Sequence, residues 1–502
     1  LPGPVAVYHP RLQENPVITI LRKPSARILL VYAVTLLFIV LNGWMIVKKH
    51  TMLAATLPAL FAIVLLAIYS LDKVLLLTVF LTPLSLPLHA VMPHLSFDMF
   101  LPTEPLLFGV LLLFLMKFAA GYRPDKKVMF HPVTLTIALY LGWMFITSLT
   151  STMPVVSLKF FLVKVWFITG FYILAIPLFA EKTNIRRFVW LYTAALLLVI
   201  GYTIGRHLGY GLMDQQAAHF VMNPFYKDHT SYGAALAMFL PFITLFVFHA
   251  IQRPLFRWIA GGVLAILLLA FVLSYTRAAW LSLFLALGVW VMLKLRIKFK
   301  TLLLTLATLL VVVVVFQQQI VSYLERNDEE SSSDLMEHFT SMSNITTDAS
   351  NLERINRWSC ALRMFNDRPV FGFGPGTYMF KYAPYQLTKD RTIISTNAGD
   401  AGNAHSEYLG PLAESGLLGM LSFLLLAGTI LYVAFRAYSR VRDKEMKVYL
   451  TGALLGLITY LGHGFMNNFL DTDKASVPFW GFTAMIVTID LWSHSHPEES
   501  QT

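Results

Sequence analysis

Long apolar runs separated by short polar loops dominate the pattern along the chain. Runs of roughly 18 residues or more are long enough to cross a bilayer as helices. Because these runs carry almost no charge and short loops join them, they favour transmembrane helices over a β-barrel. The predicted spans lie near residues 28–47, 53–70, 74–92, 104–118, 133–151, 159–180, 187–205, 232–252, 258–275, 278–294, 301–320, 416–435, 448–468 and 477–492. We therefore expect an all-α polytopic membrane protein with about 12–14 transmembrane helices.

Composition supports this class, since 57% of the residues are hydrophobic and only 13% are charged. A soluble domain has about 45–50% apolar and about 25% charged residues. The formal net charge of +11 could indicate a nucleic-acid partner, but the basic residues gather in alternate loops. This positive-inside bias predicts that those loops and both termini face the cytoplasm, and it argues against nucleic acid. The single cysteine, Cys360, excludes an intrachain disulfide framework.

One polar loop, from about residue 321 to 404, is far longer than the others and is predicted to face outward. Its first half, 325–353, is acidic and Ser-rich, whereas the charged residues of the second half, 354–391, are mostly basic. We accordingly divide the chain into an N-terminal transmembrane bundle (1–320), a large outward-facing loop that contains His405 (321–415), and C-terminal transmembrane helices with a short cytoplasmic tail (416–502).

The basic half of this loop begins with a predicted amphipathic helix, "LERINRWSCALRMF". Leu352, Ile355, Trp358 and Leu362 are spaced so that they would form its buried apolar face. "RPVFGFGPGTY" follows, and its glycines and prolines predict the turn that ends the helix. The GFGPG sequence is not a P-loop, because no Gly-Lys-Ser/Thr follows it.

The loop ends at "NAHSEYLGPLAESGLLG", where a polar stretch meets an apolar run. Asn403 is a candidate helix N-cap, which would put His405 in the first turn on the same face as Leu409 and Leu412. Gly410-Pro411 should then interrupt the helix before the membrane span. Two interpretations of His405 remain open at this point: an interfacial histidine bonded to the backbone, or a group that exchanges protons.

Further polar residues lie at the predicted outward ends of other spans. Arg277 interrupts two apolar runs in "SYTRAAWL", and Arg206 ends another run in "YTIGRHLGYG". The remaining candidates are Lys159, Asp228 and His229. Each alone could be an interfacial anchor, but several arginines on one side suit a phosphate or diphosphate group. A neutral histidine beside them could take a proton from an attacking hydroxyl, and a lipid-linked diphosphate is the substrate class that fits.

Metal chemistry is not predicted. The chain has no HExxH motif, and with one cysteine it has no paired CxxC. Asp471 and Asp473 form a D-x-D pair that could hold a metal-bound diphosphate, but a solvated loop is the favoured interpretation. We therefore predict neither a metal nor a cofactor.

Four stretches together resemble the O-antigen ligase and polymerase superfamily of bacterial inner-membrane glycosyltransferases. The four stretches are "RHLGYG…KDHTSYGAALAMFLP", "SYTRAAWLSL", "RWSCALRMFNDRPVFGFGPGTYMFKYAP" and "NAHSEYLGPLAESGLLG". The resemblance implies a GT-C-like, metal-independent, inverting enzyme of the inner membrane with its active site facing the periplasm. It would transfer a glycan from undecaprenyl diphosphate to a hydroxyl of lipid A–core or of another acceptor.

The resemblance also implies roles for individual residues. His405 would be the catalytic histidine, and Arg277 and Arg206 would grip the diphosphate. Substrate-binding candidates beside them are Lys159, Asp228, His229, Arg354, Arg357 and Tyr408. Alternatives within the superfamily are an O-antigen or exopolysaccharide polymerase and a protein O-oligosaccharyltransferase. A transporter or flippase for lipid-linked sugars is the alternative of another class, although such proteins often show internal repeats that are not apparent here.

Overall fold

The structure is a computed structural model. It describes residues 24–49, 69–91, 99–249, 254–297, 352–388 and 402–495, together with isolated positions between these ranges. Within them the chain is almost entirely helical. The longer helices are α1 (Pro24–Lys49), α2 (Leu71–Leu81), α3 (Thr103–Ala119), α4 (Pro132–Leu149), α5 (Pro154–Ile168), α6 (Lys182–Leu208), α7 (His229–Phe248), α8 (Pro254–Leu273), α9 (Arg277–Lys294), α10 (352–367), α11 (Leu409–Arg440), α12 (Lys444–His463) and α13 (Asp473–Ser495).

Eight helices in the described ranges are long and apolar enough to cross a membrane, judged by length and composition. They are α4, α6, α7, α8, α9, α11, α13 and the continuous segment Pro154–Phe179, which contains α5. The prediction of an all-α polytopic membrane protein is therefore confirmed. The predicted spans 53–70 and 301–320 lie largely outside the described residues. Clustering of contacts divides the chain at Leu71/Asp72, and helix α1 belongs to the first unit.

The predicted span 74–92 is wrong. Helix α2 ends at Leu81, and Pro83 and Pro87 follow within six residues. Proline removes a helical hydrogen bond and clashes with the preceding turn, so the helix cannot continue. The chain instead forms strand β1 (Leu86–Pro87), which pairs in antiparallel fashion with β2 (Phe100–Leu101).

Helix α13 lies at the centre of the second unit. Almost every residue from its start to Asp490 is buried, and it packs against α11, α12 and the segment Thr169–Phe179. Phe482 illustrates this packing, because its ring lies 5.1 Å from that of Phe242 and 5.4 Å from that of Phe239, both on α7. Burial on all sides explains why the hydrophobic pattern of α13 is not amphipathic.

The ends of the helices differ in their chemistry. At one end, Asp490 accepts a hydrogen bond from Arg436 at 2.9 Å and lies 3.3 Å from His131, and Arg440 pairs with its other oxygen. The opposite end, which we call the His405 end, contains the start of α7, α9 and α11 and the end of α12. The candidate residues of the sequence lie at this second end.

Helix α10 exists as predicted, and the turn after it begins at Arg368. The predicted buried face is wrong, however. Leu362 is 48% exposed, whereas Asn356, Cys360 and Met364 are fully buried. This neighbouring face packs on Phe373, Tyr378, Tyr382, Ala404 and Ala413. Apolar spacing could not identify it, because its polar members are buried through specific partners: Asn356, for example, donates to Gln386 at 3.0 Å.

Candidate active site

The segment 402–408 is an irregular loop, and α11 begins only at Leu409. The predicted N-cap at Asn403 and the helical position of His405 are therefore wrong. The Asn403 side chain instead accepts the amide hydrogen of His405 at 3.1 Å in a local turn. The predicted break at Gly410-Pro411 is also wrong. Pro411 occupies the third helical position, where its missing N–H has no helical partner to lose.

The helix distortion lies instead at Gly416, whose φ and ψ are 69° and −170°. An added Cβ there would lie 2.1 Å from the Val370 carbonyl oxygen. Leu417 donates its amide hydrogen to Pro369 at 3.0 Å across the same contact. Gly416 thus bends α11 around the turn that follows α10. This contact brings two sequence motifs together: the turn "RPVFGFGPGTY" and the segment "NAHSEYLGPLAESGLLG".

His405 has a φ of 50°, in the left-handed region that a non-glycine residue seldom occupies. Neighbouring elements hold it there. Its carbonyl accepts a hydrogen bond from the Trp358 indole at 3.3 Å, and the Asn403 amide group donates to the Asn468 carbonyl at 3.2 Å. Backbone strain of this kind persists only where the surroundings fix it, and it is frequent at functional sites.

Two glutamates fasten the same segment, and the sequence had assigned a role to neither. The carboxylate of Glu407 accepts the amide hydrogens of Phe469 at 2.7 Å and Leu470 at 2.9 Å. The carboxylate of Glu414 accepts the amide hydrogen of Tyr378 at 2.9 Å. These three hydrogen bonds pair backbone amides with glutamate oxygens in largely buried surroundings, where an unpaired amide would be costly. They tie His405 between the α12–α13 loop and the Gly-rich turn.

The environment of His405 favours its neutral form. Burial, together with the cations Arg354 and Arg357, lowers the pKa of the imidazole to about 4, although Asp228 and Glu353 act in the opposite sense. His405 is therefore uncharged at neutral pH and can accept a proton. The approach of an anion would offset the effect of the two arginines and raise this pKa.

Arg357 is buried and already paired. Its Nε donates to Glu353 at 2.7 Å, and its guanidinium lies 4.2 Å from the centre of the Tyr382 ring. Hydrogen bonds from Ser395 and Arg357 outweigh burial and hold the pKa of Glu353 below its usual value. Arg357 also supports the His405 loop, because its guanidinium donates to the Asn403 carbonyl at 3.5 Å. Its positive charge acts on the His405 imidazole.

Asp228 and His229 start helix α7 at the same end. Asp228 caps the helix by accepting the Ser231 amide hydrogen at 2.8 Å. Burial alone would raise the pKa of Asp228. The hydrogen bonds from Ser231 and Thr230 lower this pKa by a larger amount, so the carboxylate stays charged. The ring of His229 lies 4.0 Å from that of His219. Charge interactions link Asp228 to Arg354 and His405, which brings these candidates together.

Arg277 is the first residue of α9 and is exposed. The preceding Thr276 donates its hydroxyl hydrogen to the His229 carbonyl at 2.8 Å, so the starts of α9 and α7 are joined. Arg206 is engaged differently: it donates to the carbonyls of Asn223 at 2.5 Å and Val221 at 3.2 Å. Its observed contacts therefore hold the loop before α7.

Lys159 and Tyr408 are not among the groups that shift the pKa of His405. Lys159 is exposed on α5, one residue before Phe160. Tyr408 donates its hydroxyl hydrogen to the Leu461 carbonyl at 2.8 Å, and its ring packs on Phe423 and Phe465. The contacts of Tyr408 are those of a packing residue that anchors the His405 loop to α12.

Sequence reasoning missed two histidines of this site. His463 ends α12 and interacts electrostatically with Arg354, Asp228 and His229. The ring of His219 lies beside that of His229, tilted by 57°. His463 falls inside an apolar run and His219 inside a polar loop, so neither breaks its local pattern. Only the alternating direction of successive membrane helices, which puts every second loop on the same side, could have placed these histidines at the His405 end.

The prediction that the D-x-D pair lies in a solvated loop is wrong for Asp473, whereas Asp471 is exposed. Asp473 is completely buried and accepts hydrogen bonds from the hydroxyls of Ser85 and Thr103, each at 2.5 Å. Asp471 instead lines a cavity together with Lys164. Among the described residues, no group of three or more histidine, cysteine, aspartate or glutamate side chains is arranged to hold a metal ion.

Residues 262–424 match the model of the O-antigen ligase family. This part of the chain is similar to the O-antigen ligases. The match covers about a third of the protein and includes Arg277, Arg354 and His405, whereas Asp228 and Arg206 precede it. It confirms the resemblance seen in the sequence and indicates a membrane enzyme of the O-antigen ligase or polymerase type. A comparison with curated proteins gave no match.

Proposed function

We propose that this protein transfers a glycan from a polyprenyl diphosphate, undecaprenyl diphosphate in bacteria, to the hydroxyl of an acceptor such as lipid A–core. The observation that carries the proposal is the neutral His405, held in a strained loop beside Arg354 within the region similar to the O-antigen ligases. A proton acceptor next to cations suits a reaction in which a hydroxyl attacks and a diphosphate leaves.

In the proposed reaction the acceptor oxygen attacks the anomeric carbon of the donor sugar. The new carbon–oxygen bond forms as the bond to the diphosphate breaks on the opposite face, which inverts the anomeric configuration. The imidazole of His405 takes the proton of the hydroxyl. The diphosphate leaves with the bonding electrons, and Arg277 and Arg354 stabilise its charge.

The low pKa of His405 fits this sequence of events. In the free protein the imidazole is a weak base, because burial, and after it the cations Arg354 and Arg357, disfavour its protonated form. A bound diphosphate would neutralise these cations and raise the pKa by removing the part of the shift that they cause. The base would thus become effective when the donor is in place.

The remaining candidates receive secondary roles. Asp228 would keep Arg354 oriented, His229 would line the site, and Arg206 and Tyr408 would hold the loops on either side. Lys159 would attract the anionic substrate to the membrane surface. The positive-inside pattern supports an inner-membrane protein whose His405 end faces the periplasm.

The test is glycan transfer by the purified protein in nanodiscs. Its substrates are a glycan on undecaprenyl diphosphate and either lipid A–core or no acceptor. We expect transfer to lipid A–core in the wild type and a loss of at least about 100-fold in His405→Ala. His249→Ala, which removes a histidine at the other end of α7, is the control. Full activity of His405→Ala would refute the general-base role, and lengthening of the glycan without an acceptor would instead identify a polymerase.

A further inference from the structure

A cavity of about 160 Å³ lies beside the His405 loop, next to Asn403, Ser406 and Glu407. It is distinct from the surroundings of the His405 imidazole, which interacts with Arg354, Arg357, Asp228 and Glu353. We call it the Lys164 cavity. Helices α4, α5 and α11 and the α12–α13 loop enclose it. Its lining also includes Tyr140, Trp143, Phe160, Lys164, Asn468 and Asp471.

The Lys164 cavity is built from charged and polar groups taken out of bulk solvent. Lys164 is 4% exposed and Tyr140 is 7% exposed. Asp471 lines the same cavity and keeps accessible surface. Burying such groups is costly unless they find partners, so their presence indicates a ligand with matching polar groups.

Several of these groups have hydrogen-bonding capacity that the described part of the protein does not use. The Asn468 side-chain oxygen is buried and has no hydrogen-bond partner. The Lys164 ammonium donates to the Leu470 carbonyl and has two further hydrogens. The Tyr140 hydroxyl lies among the charges of Glu407 and Glu414. Donors and acceptors are therefore both offered to the cavity.

The charge balance excludes a diphosphate from this cavity. Among the described residues, Lys164 is the only cationic side chain that lines the cavity, and three acidic side chains, those of Glu407, Glu414 and Asp471, surround it. The described lining therefore lacks the several cations that hold a diphosphate. A neutral molecule rich in hydroxyl groups fits better, because carboxylates accept hydroxyl hydrogens while Lys164 donates to hydroxyl oxygens.

Size and shape narrow the class further. Pockets for drug-sized ligands measure roughly 300–1,000 Å³, so this smaller cavity suits a single ring. Trp143 and Phe160 supply flat apolar surfaces, against which the C–H face of a sugar can pack while its hydroxyls bond to the polar groups. We propose that the Lys164 cavity binds one uncharged pyranose ring of the glycan, from donor or acceptor. This inference rests on the proposed function.

Cysteine protection tests the cavity without using activity. The chain has one cysteine, Cys360, which is fully buried, so the background reaction with a small methanethiosulfonate should be slow. Asn468→Cys and Ser422→Cys place a thiol on the cavity wall. Asn366→Cys, in the exposed end of α10, is the control. The probes are the methyl glycosides of glucose, galactose, N-acetylglucosamine and N-acetylgalactosamine.

We expect at least one glycoside, at ten times its Kd, to slow labelling of the cavity cysteines by about tenfold. Labelling of Asn366→Cys should not change. If neither cavity cysteine is protected by any of the four glycosides at saturating concentration, the proposal is wrong. If Asn468→Cys does not fold, protection of Ser422→Cys alone decides the test.

Steady-state kinetics then show whether the bound sugar ring belongs to the donor or to the acceptor. They also test the cavity proposal separately from the proposed glycan transfer. Asp471→Asn should raise the KM for either donor or acceptor about tenfold, with kcat largely retained. Asp367→Asn, the same change at an exposed site, should leave both constants unchanged. If the wild type transfers glycan while Asp471→Asn keeps both KM values, the cavity proposal fails and the function stands. If the wild type transfers nothing, the function fails and labelling alone decides the cavity.

Discussion

The carboxylate of Glu407 accepts the amide hydrogen of Phe469 at 2.7 Å, across 62 residues of sequence. In return, the backbone amide of Glu407 donates to the Gly464 carbonyl at 2.8 Å. The residue two positions after His405 is thus fixed at both its backbone and its side chain. We infer that Glu407 is a positioning residue for the imidazole.

Glu407→Gln and Glu407→Ala should therefore differ. The glutamine oxygen can still accept from the two amides, so we expect Glu407→Gln to retain most of its transfer activity. Glu407→Ala leaves buried amides unsatisfied, which costs about 1–3 kcal/mol each. We expect it to lower kcat by at least tenfold with little change in KM. Equal kcat values for the two variants would contradict the positioning role.

Arg277 should be sensitive even to a conservative change. A guanidinium can bind two oxygens of a diphosphate at once, whereas an ammonium group is a point charge. We expect Arg277→Lys to reduce kcat/KM for the lipid-linked donor by about tenfold. Because Arg277 is exposed and makes no hydrogen bond within the described residues, the thermal unfolding midpoint should stay the same.

Arg206→Lys is the comparison for Arg277→Lys. Arg206 holds the carbonyls of Val221 and Asn223, so its replacement should lower the unfolding midpoint and affect donor binding less. If both variants lose donor affinity equally and keep their stability, Arg206 also binds the diphosphate.

Stability should depend on pH through His405. The imidazole has a pKa of about 4 in the folded protein and about 6.5 when unfolded. The unfolded state therefore binds more protons between these values, and stability falls as the pH decreases from 6.5 to 4. Unfolding midpoints in nanodiscs should show a shallower decline in His405→Gln than in the wild type. Parallel curves would mean that His405 titrates normally.

The sequence contained enough information to predict the fold class and to place His405 and the cationic candidates at one end of the helices. Apolar runs report membrane helices directly, because every backbone polar group in a bilayer must be paired within the chain. The local prediction at Asn403 failed because the side chain of Asn403 bonds to the His405 amide instead of capping a helix. Local capping rules cannot see that Trp358 and Gly464 also hold this segment.

Long-range contacts likewise hid the roles of Glu407 and Glu414. Their partners, Phe469 and Tyr378, are backbone amides far away in the sequence, and an amide leaves no trace in a residue pattern. The buried face of α10 was missed for a related reason. Arg357 and Asn356 look solvent-facing until Glu353 and Gln386 are placed beside them.

The last prediction concerns Gly416, where α11 bends around the turn after α10. Gly416→Ala would place a Cβ 2.1 Å from the Val370 carbonyl oxygen and force a side chain into the left-handed region. We expect it to destabilise the protein by more than about 2 kcal/mol and to reduce transfer, since the Gly-rich turn and the His405 loop would separate. Gly428→Ala, in the same helix, has no atom within 4 Å of its added Cβ. It should be neutral or stabilise by up to about 1 kcal/mol. Thermal unfolding of both variants checks this contrast, and similar midpoints would show that the bend at Gly416 does not hold the two motifs together.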